Sequence, residues 1–230
     1  MDDLFSDRAV HAQALARDDV ARLIAASAPA QLADCDLDEA DLAGLDLSGW
    51  TFERCSLRRA DFAGARLEGT VWRSCRAAFA GFVGADLGDA RFLASDLNNS
   101  VLRRAKLSAA TFERCKLTGA DLSEASAFDL RLDEVLLINA KLPGFSFLRQ
   151  ALSKIDFGQA DLSKCDFRGA VFEECSLRDA NMAGARFAGA DLRGADLGGL
   201  RLIDAGLFRG ATISRTQAGA LLGELGLNVR

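Results

Sequence analysis

Six cysteines and one histidine are the side chains best suited to metal or redox chemistry. Five cysteines are separated by multiples of 20 residues and Cys165 stands apart; the five are Cys35, Cys55, Cys75, Cys115 and Cys175. Two interpretations are open: a metal or redox site built from Cys35, Cys55 and Cys75, or small apolar fillers of a core. The chain has no Cys-x-x-Cys pair, which favours the fillers, so no metal site is predicted. The single histidine, His11, nearly excludes Ser-His, Cys-His and multi-histidine sites.

Carboxylates are the other reactive groups, and they are concentrated near the N-terminus. Residues 31–50 hold six acids and no Lys or Arg; the acids are Asp34, Asp36, Asp38, Glu39, Asp41 and Asp46. Residues 51–230 hold 22 acids and 25 bases, so the remaining surface has mixed charge. Carboxylates scattered on a surface without a cleft or an acid–base pair predict no catalytic residue, no cofactor and no enzyme.

These side chains lie within a repeat of five residues. Every fifth position from Leu32 to Leu207 gives 36 centres, of which 32 are Leu or Phe, and the frame never slips. The residue two positions before a centre is small, and the residue just before it is often Asp. Ala190-Asp191-Leu192-Arg193-Gly194 shows the whole unit. A period of five fits neither an α-helix nor a strand, but it fits a chain that turns a corner after every unit.

The repeat resembles the pentapeptide-repeat family, whose pattern is a small residue, Asp or Asn, Leu or Phe, a polar residue and any residue. The resemblance implies an all-β fold, a right-handed quadrilateral β-helix of about nine 20-residue coils. Residues 20 apart then lie above one another at the spacing of paired strands. Two inner columns of aromatic rings follow: Phe52, Trp72, Phe92 and Phe112 in one, and Phe147, Phe167 and Phe187 in the other.

Both ends of a β-helix need a cap, because the core and the strand edges would otherwise be exposed. We predict an N-terminal cap over 1–30 with a helix from Asp18 to Ser27 closed by Pro29, the repeat domain over 31–212, and a tail over 213–230. A partner-binding helix is the alternative for the first segment. Ser214 and Gln217 have capping-box spacing before a C-terminal helix.

The tail from Gln217 to Leu227 resembles that of quinolone-resistance pentapeptide-repeat proteins, in which the C-terminal element joins two monomers. That resemblance implies a homodimer. Its interface would contain Leu221, Leu222, Leu225 and Leu227.

The repeat is irregular over 126–156. Ala127 occupies a core position beside Phe128, which we expect to replace the lost volume. Leu136 takes the position usually given to Asp, so the wall becomes apolar there, and Pro143-Gly144 indicates a distorted corner. Either a function or tolerated sequence drift in a repeat protein explains this segment. We predict a candidate partner surface that consists of Leu136 and the six acids of residues 31–50.

The resemblance to quinolone-resistance proteins implies a rod that mimics DNA and binds gyrase or topoisomerase IV, protecting the enzyme from poisons. The acids of residues 31–50 favour this function, whereas the mixed charge elsewhere favours a general protein-interaction scaffold in regulation, immunity or effector delivery. A net charge of −5 argues against direct nucleic-acid binding. No apolar run is long enough for a membrane and the acidic N-terminus lacks signal-peptide features, so a cytoplasmic location is expected.

Overall fold

The computed structural model describes residues 9–26, 30–200, 206–224 and 226–229. It divides into two compact units, Met1–Arg131 and Leu132–Arg230. In the first unit the elements are β1 (Ala9–His11), α1 (Arg17–Ala25), β2 (Gln31–Ala33), β3 (Thr51–Glu53), β4 (Val71–Arg73), β5 (Arg91–Leu93) and β6 (Thr111–Glu113). The strand β7 (Arg131–Asp133) begins at the division. The second unit continues with β8 (Ala151–Ser153), β9 (Val171–Glu173), β10 (Cys175–Ser176), β11 (Ala195–Asp196) and α2 (Arg215–Glu224).

Each coil turns because one residue in the unit adopts a left-handed backbone. In the unit centred on Leu57, Arg59 has φ +56° and the Ala60 amide donates to the Leu57 carbonyl at 3.2 Å. This is the hydrogen bond and the positive φ of a type II turn. The same bond joins Phe62 to Ala65 at 3.0 Å across Gly64. A corner after five residues therefore keeps every centre on the inside.

Within each unit, parallel strands stack the coils so that a residue lies beside the equivalent residue of the next coil. Phe52 pairs with Trp72 in the first unit, and Leu152 pairs with Phe172 in the second. Between the strands, single bridges continue the ladder on the other sides of the coil, as from Asp61 to Gly81. The predicted all-β helix of four-sided coils with two short helices is confirmed.

The inner column of rings in the first unit is buried and stacked. The ring centroids are 4.2 Å apart for Phe52 and Trp72, 5.2 Å for Trp72 and Phe92, and 4.7 Å for Phe92 and Phe112. None of the four residues is more than 1% exposed. Offset stacking adds to the free energy gained by burying these large side chains.

The second unit has its own column of rings. Phe147 stacks on Phe167 at 5.0 Å, and Phe167 stacks on Phe187 at 4.9 Å. Here the column ends differently from the sequence prediction, because Phe208 and not Leu207 stacks on Phe187, at 4.5 Å.

The prediction of an unbroken frame to Leu207 is therefore wrong in the last coil. Ala195 still pairs with Cys175 at a spacing of 20, but Thr212 pairs with Asp191 at a spacing of 21. One additional residue is accommodated before Thr212, next to the 3₁₀ turn over residues 206–208. The shift places the half-buried Phe208 ring over Phe187, where the two rings stack.

The expectation that Phe128 fills the space left by Ala127 is also wrong. Phe128 is 83% exposed, because a residue that follows a centre points outward from the coil. Further along the irregular segment, large side chains occupy the inward position usually held by a small one. Val135 and Ile155 are fully buried there, and Phe145 is 5% exposed.

The helices satisfy backbone groups at the two ends of the repeat. The Arg17 guanidinium of α1 donates to the Asp41 carbonyl at 3.1 Å and to the Ala43 carbonyl at 3.0 Å. One coil later, the equivalent carbonyls accept from backbone amides, as Asp61 does from Leu42 at 2.7 Å. The guanidinium thus supplies the donors that the backbone amides of a preceding coil would otherwise supply to these carbonyls. The predicted helix ran from Asp18 to Ser27; Ser27 and Pro29 lie outside the described residues.

The C-terminal helix α2 begins with the predicted capping box. The Ser214 hydroxyl accepts from the Gln217 amide at 3.1 Å, and the Gln217 side chain accepts from the Ser214 amide at 2.7 Å. The Gln217 amide nitrogen then donates to the carbonyls of Leu192 and Ala195, at 2.6 and 2.7 Å. One glutamine therefore starts the helix and caps the coil beneath it.

Candidate functional site

The outer wall of the coils carries the polar side chains, and the six acids of residues 31–50 lie on it. Basic partners from α1 or the next coil neutralise four of the six. Asp34 pairs with Arg54 at 2.8 Å and Asp46 with Arg66 at 3.2 Å. Asp41 pairs with Arg17 at 2.9 Å, and Glu39 with Arg59 at 3.8 Å. The acidic end predicted from sequence is therefore largely compensated.

Asp36 and Asp38 are the two acids of this group for which the described residues supply no ion pair. Asp36 accepts the Asp38 amide at 2.9 Å. Asp38 accepts the Ser56 hydroxyl at 2.7 Å and the Arg58 amide at 2.8 Å. Both carboxylates are held in place by these bonds, and both residues are exposed to solvent.

The repeated Asp has a local structural role. Its Oδ1 accepts the amide two residues later and so closes an Asx turn before the corner. The bond measures 2.8 Å from Ala63 to Asp61 and 3.0 Å from Asn98 to Asp96. Asn181 accepts the Ala183 amide in the same way at 3.2 Å. The need for this acceptor explains the Asp or Asn of the repeat without any partner.

Charges alternate down one outer column of the first unit. Asp46, Arg66, Asp86 and Lys106 are consecutive bridge partners in adjacent coils. The Lys106 ammonium lies 3.0 Å from Asp86, which helps hold the pKa of that carboxyl below its usual value against the opposing effect of burial. DNA carries one negative charge per about 1.7 Å of its axis. A column that sums to zero does not reproduce that density.

Asp166 is the buried carboxylate of the second unit. It is 7% exposed and accepts from the guanidinium groups of Arg168 and Arg186, each at 2.8 Å. The hydrogen bond from the Arg168 side chain is the main cause that lowers the pKa of Asp166. This cluster tethers two coils of the second unit.

Several large apolar side chains interrupt the polar wall. Leu136, predicted to be apolar surface, is 38% exposed. Sequence reasoning missed Phe79, which is 54% exposed in the first unit. The position of Phe79 in the repeat could have indicated this exposure. It is the fourth residue after Cys75, the small residue of its unit, and lies at the corner. Corners need a positive φ, and the φ of Phe79 is +63°. A bulky residue is a rare choice for that conformation.

The six cysteines are buried and unpaired. Burial raises the pKa of Cys55 to about 11 and that of Cys75 to about 12. Their thiols donate to the carbonyls of Leu32 and Phe52, both at 3.3 Å. Among the described residues, no three His, Cys, Asp or Glu side chains are grouped as metal ligands would be. Buried in this way, the cysteine side chains pack as small apolar fillers.

The predicted dimer residues lie on and after α2. Leu221 is half-buried, Leu222 is 37% exposed and Leu227 is 55% exposed, while Leu225 lies outside the described residues. In the described part of the chain, no helix has the length and apolar character needed to cross a membrane.

Two family models described as pentapeptide repeats match the chain. One matches residues 30–69, 55–92, 85–123 and 131–169, and the other matches residues 152–196. No curated protein is significantly similar in sequence.

Solved structures with the same fold include QnrB1 and the pentapeptide-repeat protein HetL. QnrB1, a plasmid-mediated fluoroquinolone resistance protein, is 21% identical with a TM-score of 0.73, covering 95% of this chain and 100% of its own. HetL, from the cyanobacterium Nostoc sp. strain PCC 7120, is involved in heterocyst differentiation regulation. It is 24% identical with a TM-score of 0.52, covering 81% of this chain and 86% of its own. At these identities the likeness shows the fold.

Two substitutions at Asp61 separate the Asx bond from the charge. Asp61→Asn keeps an acceptor for the Ala63 amide and should leave the free energy of unfolding nearly unchanged. Asp61→Ala removes the acceptor and should cost about 1 kcal/mol. Urea unfolding of both variants measures the difference, and equal stability of the two would show that the Asx bond contributes nothing.

The Asp166 cluster should make stability depend on pH. The pKa of Asp166 is lowered in the folded state, so its contribution is present above the unfolded value of about 3.9 and is lost as pH falls through the folded value. Asp166→Asn should be destabilised by about 1–2 kcal/mol near neutral pH, and the difference from wild type should shrink in acid. Urea titrations at several pH values measure this. In an Arg168→Gln background the effect of Asp166→Asn should be smaller, because Arg168 makes the main hydrogen bond; an unchanged effect would contradict the assigned cause.

Proposed function

The chain belongs to the pentapeptide-repeat family, and from that premise we propose that it is a non-enzymatic protein-binding scaffold whose partner is a type II topoisomerase. The observation that carries the scaffold is the closed coil: apolar side chains fill the inside, and the polar side chains that could recognise a partner lie on the outer wall. A flat wall suits a macromolecular partner better than a small substrate, which needs a concave site.

Two features support a topoisomerase as the partner. The C-terminal tail resembles that of the quinolone-resistance proteins, and the fold matches QnrB1, a fluoroquinolone resistance protein, over 100% of its length. The candidate contact residues of the first unit are Asp36 and Asp38, for which the described residues supply no ion pair. In the second unit, taken by itself, the candidate contact residue is Leu136. A basic DNA-binding channel would attract two fixed carboxylates.

A scaffold for a different protein partner is the second candidate. Pairing of Asp34, Glu39, Asp41 and Asp46 with arginines favours it. These pairs leave less free negative charge than DNA mimicry requires.

We further propose that two copies of the chain associate through the C-terminal end. Leu222 and Leu227 are exposed apolar side chains at that end, and Leu221 and Leu225 belong to the same segment. Burying such side chains between two copies would be favourable by the hydrophobic effect.

A supercoiling assay with purified gyrase, and a decatenation assay with purified topoisomerase IV, test the partner. The protein should inhibit the enzyme's reaction at high dose or relieve its inhibition by a quinolone. Replacing both Asp36 and Asp38 by Asn keeps their hydrogen-bond acceptors while removing two charges, and should weaken the effect several-fold. Asp61→Asn with Asp96→Asn is the matched control, since it removes two Asx carboxylates elsewhere in the first unit. If the wild-type protein leaves both enzymes unaffected over a wide titration, the topoisomerase is ruled out and the second candidate stands.

Sedimentation equilibrium tests the homodimer. Leu222→Glu should shift the protein from dimer toward monomer, because a buried unpaired carboxylate opposes association. Leu136→Glu introduces the same charge at a side chain that is 38% exposed, against 37% for Leu222, and should not change the mass. A wild-type protein that is monomeric at high concentration would refute the interface.

A further inference from the structure

Two Asx turns of the first coil share one geometry. The Asp41 carboxylate accepts the Ala43 amide at 3.0 Å, and the Asp36 carboxylate accepts the Asp38 amide at 2.9 Å. Asp36 and Asp41 hold the same position in consecutive units of the repeat. A group that binds at one turn therefore indicates which kind of group the other turn is built to bind.

Arg17 of α1 occupies the acceptors of the Asp41 turn. Its guanidinium donates to the Asp41 carboxylate at 2.9 Å, to the Asp41 carbonyl at 3.1 Å and to the Ala43 carbonyl at 3.0 Å. A guanidinium suits this set because its N–H groups point outward in one plane and reach several acceptors at once. The edge of the first coil therefore contains a filled arginine site.

The Asp36 turn offers the same kinds of acceptor, and part of the set is unused. The Asp36 carbonyl accepts the Leu15 amide at 2.8 Å. The Asp38 carbonyl receives no donor from the described residues, whereas the equivalent Arg58 carbonyl of the next coil accepts the Glu39 amide at 2.8 Å. The Asp36 carboxylate and the Asp38 carbonyl thus correspond to two of the three groups that the arginine binds at the other turn.

A cleft of about 470 Å³ lies beside these acceptors, between the start of α1 and the first coil. Its lining includes Asp36, Asp38, Asp19, Glu39 and Arg17. Asp19, Glu39 and Arg17 each form an ion pair, but the described residues supply none to Asp36 or Asp38. Both of these residues are exposed to solvent, so the unpaired charge of the cleft is negative and attracts a cation.

We propose that the Asp36 turn and the Asp38 carbonyl bind one arginine side chain of the protein partner, as the Asp41 turn binds Arg17. The guanidinium donates to the Asp36 carboxylate and to the Asp38 carbonyl, and the Asp38 carboxylate adds a second negative charge beside it. A lysine ammonium fits less well, because it is a compact point charge and lacks the planar fork. The inference rests on the proposed function, since it takes the partner to be the basic DNA-binding channel of the topoisomerase and names arginine as the residue that the channel contributes.

An NMR titration of the full chain with the blocked tripeptide glycine–arginine–glycine tests the proposal without any topoisomerase. The backbone amide signals of Asp38 and Glu39 should shift to saturation. The same tripeptide with lysine should bind several-fold more weakly, and the one with citrulline, which is planar but uncharged, about tenfold more weakly. Added salt should weaken the binding of the arginine tripeptide, because the acids are exposed.

Two substitutions separate the charge of the Asp36 turn from its hydrogen bond. Asp36→Asn keeps the acceptor that closes the turn and removes one charge, so it should weaken binding of the arginine tripeptide about tenfold. Asp61→Asn is the matched control: Asp61 closes an Asx turn of the next coil, where the Leu42 and Gly44 amides already fill the carbonyls of Asp61 and Ala63. This control should leave the binding unchanged, and thermal unfolding should be alike for both variants because each retains its Asx bond.

Equal binding of the three tripeptides, or shifts at Asp38 that Asp36→Asn leaves unchanged, would overturn the arginine site. An effect on supercoiling or decatenation that depends on Asp36 and Asp38, together with no binding of the arginine tripeptide, would leave the topoisomerase in place and refute this site. Specific binding of the arginine tripeptide with neither topoisomerase affected would support the site and refute only the identity of the partner.

Discussion

The structure depends on one backbone constraint: a residue with positive φ closes a corner, so the chain changes direction after every unit of the repeat. Arg59 and Gly64 show that both a charged residue and a glycine can take this conformation. Once the corner recurs, centres such as Phe62 always face inward, and successive coils can share hydrogen bonds. The ladder bond from Phe62 to Gly81 is 2.7 Å long. Burial of the centres and this ladder are both consequences of the corner.

The same stacking governs the electrostatics of the wall. Equivalent side chains of successive coils are neighbours. A carboxylate in one coil therefore interacts with the charged side chain at the equivalent position of the next coil. Asp34 meets Arg54, and Asp46 meets Arg66, at 2.8 and 3.2 Å. Exposed pairs of this kind add little stability, but they remove charge from the surface that a partner sees. The unneutralised groups, such as Asp36 and Asp38, rather than the composition, define where a partner can be recognised.

The ends and the irregular positions follow from the same geometry. Arg17 and Gln217 supply donors that a further coil would have supplied. The extra residue before Thr212 is tolerated because it lies in the last coil, where no later coil has to remain in register. Phe128 and Phe79 lie outside the core because the positions after a centre point outward, whatever the side chain.

The sequence by itself determined the coil, since a stripe of Leu and Phe at a period of five is compatible with a chain that turns at that interval and with neither regular helix nor strand. It also placed the ring columns of Phe52 and Phe147 and the capping box at Ser214. Only the tertiary structure decided which charges remain free, because pairing between a carboxylate and a base in the next coil depends on side-chain reach. It also decided that Phe208 replaces Leu207 and that Phe79 is exposed beside Arg59. Those outcomes depend on how coils pack in space, and a one-dimensional period does not contain that information.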